Sequence, residues 1–83
     1  MNAKIRTQRT PVRQRTGTDA KGTQYALQEW SELISVQEAA GWSAWEPRQG
    51  HGIAITLDGV DLEYISPAEW DLGYPLVLIR LSE

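Results

Sequence analysis

The stretch IAITLDGVDLEY, residues 53–64, decides the fold class. Ile53, Ile55 and Leu57 alternate with small or polar residues, Asp58-Gly59 follows, and Val60, Leu62 and Tyr64 alternate again. Asp-Gly between two runs of period two signals a β-hairpin, because a two-residue type I′ turn needs positive φ at both central positions. With that turn, Leu57 faces Val60, Ile55 faces Leu62 and Ile53 faces Tyr64, so that all six share one face.

Downstream, Ser66-Pro67-Ala68-Glu69 has the form of a capping box with proline at the first helical position. It predicts one helical turn that carries Trp70 and Leu72 inward before Gly73 ends it. From Pro75 to Leu81 the chain is almost continuously apolar, as in a buried strand. Upstream, residues 38–52 read as a long loop that holds Gly41, Pro47, Gly50 and Gly52, with Trp42, Trp45 and His51 among them. The two tryptophans suit either a lid on a small core or an exposed stacking platform.

The first third of the chain is a second hairpin. Residues 3–16 are rich in Thr and Arg and carry Val12, which favours a strand, with Pro11 at an edge or a bulge. Residues 18–22 form a tight turn with Gly22 in a left-handed position. Between Thr23 and Gln37, Leu27, Trp30 and Ile34 also fit one helical face, but the turn and the Tyr, Trp, Ile and Val content favour a strand. A slip in alternation near Glu29 and Trp30 then requires a bulge. The predicted architecture is all-β: one domain over residues 1–83, a small five-stranded barrel of the OB type with one short helical turn. The basic hairpin 12–30 is its protruding wing.

Composition narrows function. The 83 residues include no cysteine and one histidine, which excludes disulfides and thiolate metal sites and leaves little for a zinc centre. No apolar run approaches the ~20 residues of a membrane span, and no secretory signal is visible, so a cytoplasmic location is expected. His51 lies between two glycines, Asp58, Asp61 and Glu63 sit on a polar hairpin face, and Gly50-His51-Gly52 is too short to cradle phosphate. Neither an enzyme, a cofactor, a metal nor a small-molecule substrate is expected.

Charge is segregated along the chain. Lys4, Arg6, Arg9, Arg13, Arg15 and Lys21 face only Asp19 within the first 21 residues, a net +5. The remainder sets Arg48 and Arg80 against ten carboxylates, a net −8. Arg13, Arg15 and Lys21 cluster by the first turn, with Arg9 further along the strand and Tyr25 and Leu27 on one face of the return strand. Cations neutralise phosphates and an aromatic ring stacks on a base, so this hairpin predicts single-stranded DNA as partner, with Trp42 or Trp45 as a second platform. Three neutralised phosphates give a salt slope of about −2. The competing reading is a small acidic protein-binding module, such as a phage-encoded inhibitor of a host factor, that recognises its target through the net −8 region.

Residues 12–30, VRQRTGTDAKGTQYALQEW, resemble the DNA-binding hairpin of the gene V-type single-stranded-DNA-binding proteins of filamentous bacteriophages. The shared pattern is an Arg before a Ser/Thr-Gly pair, a glycine five residues later, then Tyr-x-Leu-x-Glu: here Arg15, Thr16-Gly17, Gly22, Tyr25, Leu27 and Glu29. The resemblance implies a homodimer whose two hairpins clamp antiparallel strands and coat phage DNA during replication in the host cytoplasm. It assigns Arg15 to phosphate and Tyr25 and Leu27 to the base-contacting surface.

Overall fold

The computed structural model describes residues 4–73 and 78–82. Strand β1 (Ile5–Thr18) pairs antiparallel with β2 (Gln24–Glu38) from Ile5↔Val36 to Thr18↔Gln24. The expected slip is present, but on the other strand: Pro11 faces Trp30 and Arg13 faces Glu29, which leaves Val12 as the bulged residue. Proline cannot donate to a ladder, and the alternation set by the Gln37 N–H on the Lys4 carbonyl turns position 11 to the open edge of β1, where its lack of an N–H breaks no bond to β2. The turn between the strands is closed by the Gly22 N–H on the Asp19 carbonyl at 3.0 Å, with Gly22 at φ 86°.

The predicted loop at 38–52 is corrected. It folds back along β2 as β3 (Gly41–Trp42) and β4 (Glu46–Pro47), followed by a 3-10 turn (Arg48–Gly50). Strands of two residues carry no periodicity, which hides them in a glycine-rich sequence. β5 (Ile53–Leu57) and β6 (Val60–Asp61) form the predicted hairpin, with Asp58 at φ 50° and Gly59 at φ 82°. Leu57 faces Val60, and the Leu62 N–H bonds the Ile55 carbonyl, as expected. The third pair is not formed. The chain bends at Leu62 into β7 (Glu63–Ser66), and Tyr64 faces Trp70 instead of Ile53.

No helix forms at Ser66–Glu69. Ser66 pairs with Glu69 across a turn of Pro67 and Ala68, which joins β7 to β8 (Glu69–Asp71). Proline's fixed φ suits a β-turn as well as a helix start. As a strand residue, Trp70 gains Tyr64 on one side and Ile79 of β9 (Leu78–Leu81) on the other. The expected last strand is thus found from Leu78 onward, and positions 75–77 lie outside the described residues.

The described strands number nine rather than five, in the order β6-β5-β2-β1-β9-β8-β7 with β3 and β4 laid on β2. Because β6 runs on into β7, the sheet is nearly closed into a barrel. Leu27, Ile55, Leu62, Trp70 and Ile79 fill it, with Tyr25, Leu57, Tyr64, Leu72 and Leu81 packed around them. Gly17 lets β1 approach: a Cβ there would collide with Ile79 Cγ2 and lie 2.9 Å from Leu27 Cδ1. Among the described residues no helix is long and apolar enough to cross a membrane.

The molecule is elongated, 50 × 26 × 20 Å. β5 stops pairing with β2 at Ser31, so the outer ends of β1 and β2 continue as an arm, flanked by β3 and β4. Six residues of β1, Ile5 to Thr10, extend about 20 Å at the rise of a strand. This corrects the expected wing. The turn end of the 12–30 hairpin is built into the barrel, where β9 pairs with Gly17 and Thr18, and the protruding part is the opposite, open end.

Candidate nucleic-acid interface

Beyond the Val12 bulge, Arg13, Arg15 and Gly17 face Glu29, Leu27 and Tyr25. Cross-strand partners share a face, and this face is the inner one, since Leu27 is 2 % exposed. Arg15 accordingly turns inward, where its Nη1 donates to Glu29 Oε1 at 2.6 Å and its Nη2 to the Ser82 carbonyl at 3.3 Å. Arg13 Nε donates to the same Glu29 oxygen at 3.2 Å. Burial opposes the charge on Glu29, which is 7 % exposed, but Arg15 and Arg13 hold its carboxyl below the usual range.

Arg9 is engaged as fully. Its Nε donates to Glu32 Oε2 at 2.6 Å, and its Nη1 and Nη2 donate to the two Asp61 oxygens at 3.0 and 3.1 Å. Arg48 Nη1 reaches the other Glu32 oxygen at 2.8 Å, and Glu32 is 3 % exposed. The Arg9 hydrogen bonds hold the Asp61 carboxyl below its ordinary value, and Asp61 in turn raises the Arg9 guanidinium. Charges segregated along the sequence become ion pairs in space.

At the turn, Asp19 Oδ1 accepts the N–H groups of Lys21 and Thr23, each at 2.9 Å, and Oδ2 accepts the Tyr25 hydroxyl at 2.9 Å. Desolvation works against the Asp19 charge, but the Thr23 N–H, the Tyr25 hydroxyl and the Lys21 N–H together lower its carboxyl. The same bond to Asp19 raises the Tyr25 phenol. Tyr25 is half-buried with its ring against the core, and Lys21 is exposed. Of the expected contact residues, Leu27 is therefore a core residue, while Arg9, Arg13 and Arg15 are bound to internal carboxylates.

Trp42 and Trp45 are 42 % and 39 % exposed and lie on the arm. Their segment is fixed to β2 by serine contacts. The Ser35 hydroxyl donates to the Ser43 carbonyl at 2.6 Å, the Ser43 N–H to the Val36 carbonyl at 2.8 Å, and the Val36 N–H to Ser43 Oγ at 2.9 Å. Arg6, the cross-strand partner of Ser35, places its guanidinium carbon 4.6 Å from the Trp42 ring centroid and 4.7 Å from that of Trp45. Lys4 lies two residues away, on the same face as Arg6 by strand alternation. Glu46 pairs with Ile34 and so points to the other face. Among the described residues, Lys4, Arg6 and Lys21 make no salt bridge.

Sequence reasoning named both tryptophans and passed over Arg6, whose role depends on pairing with Ser35 across the β1–β2 register. Chemically, two partly exposed indoles around a guanidinium can stack planar rings and attract an anion. Elsewhere His51 stacks on Tyr64 at 4.2 Å, beside a cavity of about 290 Å³ lined by Arg9, Glu32, Arg48 and Trp70. Among the described residues no cluster of His, Cys, Asp or Glu is arranged to hold a metal. Comparison with protein families, curated proteins and solved structures finds no match to this chain.

Proposed function

We propose that this protein binds single-stranded DNA without sequence preference, through the open end of the β1–β2 arm. The observation that carries the reading is Arg6 set against both exposed indoles, Trp42 and Trp45. Each base stacked on an aromatic ring contributes ~1–3 kcal/mol, so two indoles and the Lys4 and Arg6 charges hold a short unpaired strand. The barrel-like sheet is compatible with an OB-type fold, and we take it as one, since such barrels bind oligonucleotides. The resemblance over residues 12–30 suggests in addition a homodimer and the coating of phage DNA during replication; it concerns the turn end of the hairpin and lends no support to the arm. The acidic-module reading loses Glu29, Glu32 and Asp61 to the protein's own arginines and keeps the exposed Glu38, Glu46, Asp58 and Glu63.

Titration with a thymidine oligonucleotide, followed by tryptophan fluorescence at several salt concentrations, tests the proposal. Quenching is expected, with a slope of log K against log salt of about −1.4 per protomer from the two arm cations. No quenching at low salt rejects it.

A further inference from the structure

Among the described residues, β1 has an uncovered edge: β2 pairs along one side of it, whereas β9 meets the other side only at Gly17 and Thr18, with the Ser82 N–H on the Thr16 carbonyl. Among the described residues no strand pairs with that side of the stretch from Ile5 to Thr10. The direction of its backbone groups follows from one bond, the Gln37 N–H on the Lys4 carbonyl at 2.9 Å. Antiparallel pairs alternate, so Lys4, Arg6, Gln8 and Thr10 turn their N–H and C=O toward β2, while Ile5, Thr7 and Arg9 turn theirs outward. Pro11 and the Val12 bulge end the usable edge, as edge strands commonly do.

Side-chain chemistry selects the occupant. Lys4 and Arg6, which make no salt bridge among the described residues, border this edge, whereas Arg9 and Arg13 are bound to Glu32, Asp61 and Glu29, and β1 carries no carboxylate. A second copy pairing edge to edge offers Lys4 and Arg6 no carboxylate, because β1 carries none. A strand with carboxylates toward Lys4 and Arg6 gains cross-strand ion pairs, and small apolar side chains on its other face meet Ile5, 61 % exposed, and Thr7. We infer that the Ile5–Thr10 edge accepts an acidic, extended peptide segment of another protein as an added strand. This site is the backbone edge of β1, and it shares Lys4 and Arg6 with the indole face proposed for DNA.

Amide-resolved NMR of the full chain tests it, with a capped hexapeptide of alternating Val and Glu as probe and its Val–Lys counterpart as control. The acidic peptide should slow hydrogen exchange at Ile5, Thr7 and Arg9 and leave Arg6 and Gln8 little changed. Thr7→Pro removes an outward N–H without touching the β2 ladder and should weaken the peptide about tenfold, the loss of roughly one backbone hydrogen bond. That variant should still quench with oligo-thymidine, which separates this proposal from the DNA reading. If Thr7→Pro fails to fold, the amide map of the unmodified protein decides alone. Equal binding of the lysine peptide, protection elsewhere, no change at millimolar peptide, or an edge already protected by self-association overturns the inference.

Discussion

Replacing Glu29 by Gln tests whether the first arginines serve the fold. The carboxylate is 7 % exposed and accepts Arg15 at 2.6 Å and Arg13 at 3.2 Å. Hydrogen bonds to charged groups contribute about 1.5–3 kcal/mol each, and the half-buried Arg15 falls in the lower part of that range. Arg13 is mostly solvated, and its pair adds at most ~1 kcal/mol. The expected cost is therefore about 2 kcal/mol, or a fall in Tm of roughly 10 °C for a domain of this size. Urea and thermal unfolding of Glu29→Gln, Arg15→Gln and the double variant give the coupling. The double variant should cost clearly less than the two single variants together. A single-variant effect within about 0.5 kcal/mol, the ordinary range for surface changes, would refute the reasoning.

Gly17→Ala should destabilise by about 1–3 kcal/mol in the same assay, because the added Cβ has no room between Ile79 and Leu27. Glu29, Asp61 and Asp19 all hold their carboxyls below the ordinary range in the folded protein. The unfolded chain takes up those protons first, so the stabilisation is complete above about pH 4.5 and is lost as pH falls through the lowered values. Tm measured from pH 7 to 2 should drop below about pH 4.5, and less steeply in Asp61→Asn with Glu29→Gln.

What the sequence made legible was local chemistry. Asp58-Gly59 and Gly22 were readable because those turns need positive φ, and the backbone has it at all three positions. Ser66-Pro67-Ala68-Glu69 misled because a capping box and a β-turn draw on the same residues, and the choice depends on Tyr64 and Ile79 flanking Trp70. The basic hairpin was correct as two strands but was read with its cations facing solvent. A one-residue bulge exchanges the faces of a strand, and after Val12 it directs Arg13 and Arg15 toward Glu29. Arg6 was missed for a related reason: only the β1–β2 register brings it to Ser35 and hence to the segment that Ser43 anchors between Trp42 and Trp45.

The location of the proposed DNA surface is tested most directly by comparing oligo-thymidine affinity in Arg6→Ala and Arg15→Ala at one low salt concentration. Arg6→Ala should weaken binding about tenfold, through one lost phosphate contact and a loosened indole pair. Arg15→Ala should bind as the unmodified protein does while melting earlier. Unchanged affinity in Arg6→Ala together with a tenfold loss in folded Arg15→Ala would contradict the account and return the surface to the turn end of the hairpin.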